Sequence, residues 1–128
     1  MKKKSKNTIL KKSFKLPIQT ITFVPSTTSK SKKISNTILS KRVKETRLFL
    51  SNVFGGYTSA RVTGGYIMKS KSGKKILIKE RVVQVTSYAK KIDYKKNKNK
   101  WLNWCKKKKK QWGQDSIGII IENDMYYI

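Results

Sequence analysis

The apolar positions of this chain change period partway along. Leu39, Val43, Leu50 and Val53 recur at helical spacing, with Phe49 and Phe54 beside them, while Lys41, Lys44, Glu45 and Arg47 fall off that stripe. Such a stripe marks an amphipathic helix resting on an apolar layer. Asn36 or Thr37 is placed to cap its start. Gly55-Gly56 is placed to end it, because glycine takes the left-handed closing conformation at little steric cost. From Tyr57 the period is two: Tyr57, Ser59, Arg61 and Thr63 alternate with Thr58, Ala60 and Val62. Gly64-Gly65 reads as a bulge or bend, residues 69–74 as a polar turn, and residues 76–88 as a long Val- and Ile-rich strand.

Residues 1–16 are rich in Lys, Ser and Asn and read as a basic flexible arm, with the folded domain spanning 17–128. Residues 18–24 alternate as a strand that Pro25 stops, and 26–35 read as a flexible basic loop. Residues 90–100 read as a charged connector. Trp101, Cys105 and Trp112 then share one side of a second helix, with Lys106 to Lys110 mostly solvated and Gly113 as its stop. Residues 117–122 form a buried strand, and Asn123-Asp124 turn the chain into a short last one. The order is βαββαβ, which predicts an α+β, ferredoxin-like domain: an antiparallel sheet with two helices on one face. If Ile21, Phe23, Ala60, Val62, Val83 and Val85 face the helices, alternation leaves Thr20, Thr22, Ser59, Arg61, Thr63, Gln84, Thr86 and Tyr88 on a polar open face.

Charge changes this picture more than any motif. The 128 residues carry 32 basic and 6 acidic side chains, a formal net charge of +26. Self-repulsion at this level destabilises a compact state unless a polyanion or salt neutralises it. Nucleic acid is the expected partner, RNA in preference to DNA, since each lysine that neutralises a phosphate releases counterions. The phosphate-contacting set is Lys2, Lys3, Lys4, Lys11, Lys12, Lys30, Lys32, Lys33, Lys71, Lys74, Lys75, Lys106, Lys107, Lys108, Lys109 and Lys110. Arg61 and Tyr88 join it from the open sheet face. Lysine positions a backbone and reads few base edges, so binding is expected to be sequence-nonspecific.

Candidate chemistry is sparse. The chain has no histidine, which removes the usual general base and the commonest metal ligand. Glu80, Asp115, Glu122 and Asp124 are the acids near strands and read as local charge partners rather than a metal site. Cys105, the single cysteine, allows no internal disulfide and reads as a buried thiol in a reducing compartment. The glycine pairs lack the GK[ST] ending of a phosphate loop. No apolar run is long enough to span a bilayer, and no signal-like segment follows the basic N-terminus. Expected, then, is a cytoplasmic or organellar-matrix protein that is not secreted, not an enzyme, and free of cofactor and metal.

The strand order resembles the RNA-recognition motif in topology, although residues 79–88 do not match that family's aromatic signature. Ribosomal proteins also combine this layout with basic arms. Residues 54–58 (FGGYT), Gly64-Gly65-Tyr66, Lys79-Glu80 and the ending from Trp112 to Ile128 are similar to small ferredoxin-like proteins of phage, plasmid and organellar genomes. The phage and plasmid likeness carries no activity over; the charge and the basic arms around a compact core lead to the expectation of a non-catalytic structural binder of RNA, as a subunit of a ribosome-like or packaged particle with other proteins. The alternative is a phage or mobile-element interaction protein that takes a host protein or a small anionic ligand on its open sheet face. A carboxylate-metal nuclease ranks last.

Overall fold

A computed structural model describes residues 8–28 and 32–128. The elements run α1 (Thr8–Lys12), β1 (Ile18–Pro25), β2 (Thr27–Thr28), β3 (Lys32–Lys33), α2 (Asn36–Phe54), β4 (Thr58–Lys69), β5 (Lys75–Ala89), α3 (Lys91–Gln111), β6 (Gly118–Ile121) and β7 (Asp124–Tyr127). Five strands form one sheet in the order β4-β5-β1-β6-β7, each neighbour antiparallel, and β2 and β3 form a small separate ribbon. The molecule is α+β, with the strand order of the ferredoxin-like arrangement and one added edge strand. The turn into β7 is made by Glu122-Asn123, with Glu122 at φ 58°, one residue earlier than the Asn123-Asp124 turn read from sequence.

Helix α2 starts where Ser35 accepts from the Ile38 amide, so the cap lies one residue before the expected pair. It ends at Gly55, whose φ of 102° is open to glycine at little strain. Helix α3 is longer than its aromatic stripe suggested, because residues 91–100 are helical rather than a connector. Asp93 in its first turn and lysines in its last complement the helix dipole. The β4–β5 ladder runs unbroken from Thr58↔Thr86 to Lys69↔Lys75, so Gly64-Gly65 makes neither bulge nor bend. Residues 26–35, read as a loop, include the β2–β3 ribbon. Residues 8–12 of the arm form a short helix with no buried side chain.

The core lies between α2, α3 and one sheet face. Val24, Val83, Val85, Ala89 and Ile119 meet Val43, Leu50, Val53, Phe54, Trp101, Cys105 and Trp112 there. Phe49 stacks on Trp104 at 4.6 Å, and Trp101 meets Phe54 edge-on at 5.7 Å. Thr20 and Thr22 also point into this core and are fully buried. Their hydroxyls are satisfied, since Thr20 donates to the Ser87 carbonyl and Thr22 accepts from the Trp101 indole N–H at 3.0 Å. Arg42 is buried as well and donates to the carbonyls of Pro25 and Thr27, both at 2.8 Å. Its guanidinium lies 5.3 Å from the Trp112 ring, tying the end of β1 to the end of α3, and burial pushes its pKa down.

Cys105 is fully buried, and that burial pushes its thiol up to about 12. The folded protein therefore holds the proton at pH values where the unfolded chain, with an ordinary value of 9.0, has lost it. The unfolded state binds fewer protons there, so this thiol makes stability fall as pH rises above 9. Reaction with a disulfide reagent near neutral pH should be slow and should follow unfolding, measured as release of the chromogenic thiolate with and without urea.

Candidate functional site: a groove on the open sheet face

Register assigns the face away from the helices. Residues paired across strands share a face, so Ala60, Val62 and Gly64 of β4 lie with Gln84, Val82 and Glu80 of β5. Ile21 and Phe23 of β1 lie on this side with Ile120 of β6 and Met125 and Tyr127 of β7. The polar open face expected from alternation is therefore half inverted. Thr20, Thr22, Ser59 and Arg61 sit on the helix side, and apolar residues take their place, while Gln84, Thr86 and Tyr88 are outward as expected. Inversion is tolerated in β1 because the buried hydroxyls have partners.

At the Phe23 end of this face lies a groove of about 1010 Å³. Phe23, Val62, Val82 and Met125 line its apolar part. Gly118 lets the β7 side chains close over β6: a Cβ there would lie 2.7 Å from Met125 Cε and 3.4 Å from Phe23 Cδ2. The loop after α3 supplies Gln114, Asp115 and Ser116, and β2 supplies Thr27 and Thr28. Gln114 Nε2 is held by the Thr27 and Trp112 carbonyls at 2.7 and 2.9 Å, which fixes that loop against β2. Glu80 stands opposite Gly64 in the ladder, and nothing lies within 4 Å of where a Gly64 Cβ would be. The missing side chain leaves a notch beside the carboxylate.

The electrostatics of the groove differ from those of the chain. A quarter of all residues are lysine or arginine, 32 of 128. Among the described residues that line the groove none is, yet Glu80 and Asp115, two of the six acids, are among them. The groove is a patch of neutral-to-negative character within a strongly positive protein.

The described residues assigned to phosphate contact are spread over several elements. Lys11 and Lys12 lie exposed on α1, Lys32 and Lys33 on β3, and Lys71, Lys74 and Lys75 at the β4–β5 turn. Lys106, Lys107 and Lys110 are exposed on α3, with Lys109 partly so. Lys108 instead turns inward, 3.4 Å from Glu45 and 5.6 Å from the Trp104 ring centre. Arg61 is exposed on the helix side of β4. Tyr88 is on the open face, where its hydroxyl accepts from Gln19 Nε2 at 2.9 Å. Lys2, Lys3, Lys4 and Lys30 lie outside the described residues. Sequence reasoning missed Phe23, Gly64, Gly118, Met125 and Tyr127. The absence of lysine from residues 111–128 was the visible signal.

The class these features define is an α+β sheet protein with a ligand-sized groove, at the upper end of the 300–1,000 Å³ scale of small-molecule sites. In fold it is similar to a phage SAM lyase in complex with S-methyl-5′-thioadenosine, with a TM-score of 0.58 and 17% identity over 87% of this chain and 88% of that one. The phage SAM lyase in its apo state matches with a TM-score of 0.52, also at 17% identity, over 87% of each chain. No protein-family model and no curated sequence matches.

These neighbours overturn three expectations. Structures sharing this fold are an enzyme, against the expectation of a non-catalytic protein. One holds a small nucleoside, against a partner list headed by RNA and the proteins of a larger particle. The RNA-binding, ribonucleoprotein and ribosomal character inferred from +26 falls with them, because net charge reports long-range attraction and not fold or site. The phage part of the sequence resemblance is in keeping with these neighbours. Among the described residues no helix is long and apolar enough to cross a membrane.

Proposed function

We propose that the chain is a lyase acting on S-adenosylmethionine, with the groove on the open sheet face as its active site. The observation that carries this reading is the absence of lysine and arginine among the described residues of the groove, together with its two carboxylates. S-adenosylmethionine bears a sulfonium and an ammonium group, and a cation needs such a refuge on a protein of +26. The fold likeness to phage SAM lyase supports the same substrate. Of the two sequence expectations, a small ligand on the open face is thereby favoured, with its charge corrected from anionic to cationic.

The chemistry suits a chain without histidine. S-methyl-5′-thioadenosine is S-adenosylmethionine less its amino-acid chain, so the bond that breaks joins that chain to sulfur. Its electron pair stays on sulfur, the sulfonium becomes a neutral thioether, and the substrate's own carboxylate oxygen bonds to the carbon that leaves sulfur, closing the amino-acid chain into a lactone with no proton to transfer. A neutral leaving group needs no general acid. Glu80 holds the ammonium, which stays charged throughout. The apolar floor of Phe23, Val82 and Met125 lies under the sulfonium, where losing positive charge is favoured by a surrounding of low polarity. Tyr127 offers a ring for adenine, and the hydroxyls of Thr28 and Ser116 line the rim for the ribose.

Purified protein incubated with S-adenosylmethionine should release S-methyl-5′-thioadenosine in proportion to protein added, read by chromatography. No product, with no heat of binding for either nucleoside, removes this reading. Gly64→Val provides a geometric check. A Cβ at that position has nothing within 4 Å, and valine favours strand over glycine, so the melting temperature should hold or rise. It fills the notch beside Glu80, and product release should fall about tenfold, as for a misplaced substrate.

A further inference from the structure

On the helix side of the sheet, between α2 and β4, lies a separate hollow of about 170 Å³ lined by Ser40, Arg47, Ser59 and Arg61 among others. It belongs to the opposite face from the groove and owes nothing to its chemistry. Arg47 Nη2 donates to Ser59 Oγ at 2.8 Å, and its guanidinium lies 5.3 Å from the Tyr57 ring centre. Its Nε is buried and has no hydrogen-bond partner. Glu45, two residues away on α2, is engaged with Lys108 instead. Among the described residues no carboxylate pairs with Arg47 or Arg61.

We propose that this hollow binds a small oxyanion, a phosphate or a carboxylate, between the two guanidinium groups and the Ser40 and Ser59 hydroxyls. The residue choice supports it. Only 4 of the 32 basic residues are arginine, and two of the four line this hollow. Arginine's planar fork matches an oxyanion as lysine's point charge does not. The volume lies below the 300 Å³ or so of small-molecule pockets, so the occupant is a single anionic group rather than a nucleotide.

The test must separate a site from the general pull of +26. Sodium phosphate and, separately, sodium acetate are titrated at constant ionic strength against chloride, while the arginine Nε–H signals are followed by NMR. A saturating shift of the Arg47 signal with either anion is expected, and which anion saturates identifies the class. Arg61→Gln should weaken it about tenfold, while Lys106→Gln/Lys107→Gln leaves it unchanged. A shift that never saturates with either anion, or that the lysine variant weakens as much as Arg61→Gln does, overturns the site.

Discussion

Replacing Trp101 with alanine should lower the stability of the folded chain by about 3–5 kcal/mol, measured by urea unfolding. Trp101 is fully buried, meets Phe54 edge-on at 5.7 Å and donates to Thr22. The loss combines transfer of a large ring to water with a cavity that three packed elements cannot close. Natural domains hold about 5–15 kcal/mol in total, so a substantial unfolded fraction is expected at physiological temperature. Trp101→Phe separates the ring from its N–H. It keeps most of the apolar surface but leaves the buried Thr22 hydroxyl without its donor, at about 1–3 kcal/mol. Adding Thr22→Val removes the orphaned hydroxyl and should recover part of that loss. A double-mutant cycle that shows no coupling would mean that the indole bond contributes nothing.

Glu80→Gln should reduce release of S-methyl-5′-thioadenosine about a hundredfold. The glutamine is nearly isosteric and remains polar, so the groove keeps its shape and loses one charge. A hydrogen bond to a charged group contributes about 1.5–3 kcal/mol, and its upper end corresponds to about two orders of magnitude. Asp124→Asn is the matched control, since it removes an acid from β7 that does not line the groove. Equal losses in the two variants would mean that overall charge matters and not the Glu80 contact. Unchanged turnover in Glu80→Gln would take the ammonium site away from β5.

Much of the fold is legible because its helices and strands announce their periods. The α2 stripe, the Gly55 stop, the 69–74 turn region and the Trp101–Cys105–Trp112 face all follow from spacing. Residues 91–100 were not legible as helix. Ile92 and Tyr94 are too few to set a period among lysines, and the helix is held by contacts further along, such as Asn97 donating to the Val53 carbonyl at 2.9 Å. Which side of β1 faces inward was not legible either. Both choices alternate perfectly, and apolar content favours burying Ile21 and Phe23. The decision belongs to Trp101, Ser87 and the Thr hydroxyls, whose partners lie more than 60 positions away in the chain. The groove depends on that decision, so it was invisible with it. The lysine clusters were conspicuous, but conspicuous charge does not locate a site.

The sheet ends on both sides in strands, β4 and β7, that each pair with one neighbour alone. Bare ladders of this kind invite chains to join edge to edge and polymerise. Like charge on every copy opposes that approach, and it does so only over the range that dissolved ions permit, about 8 Å at physiological ionic strength. The lysine surplus thus works as a spacer between molecules, strongest in dilute electrolyte and fading in brine.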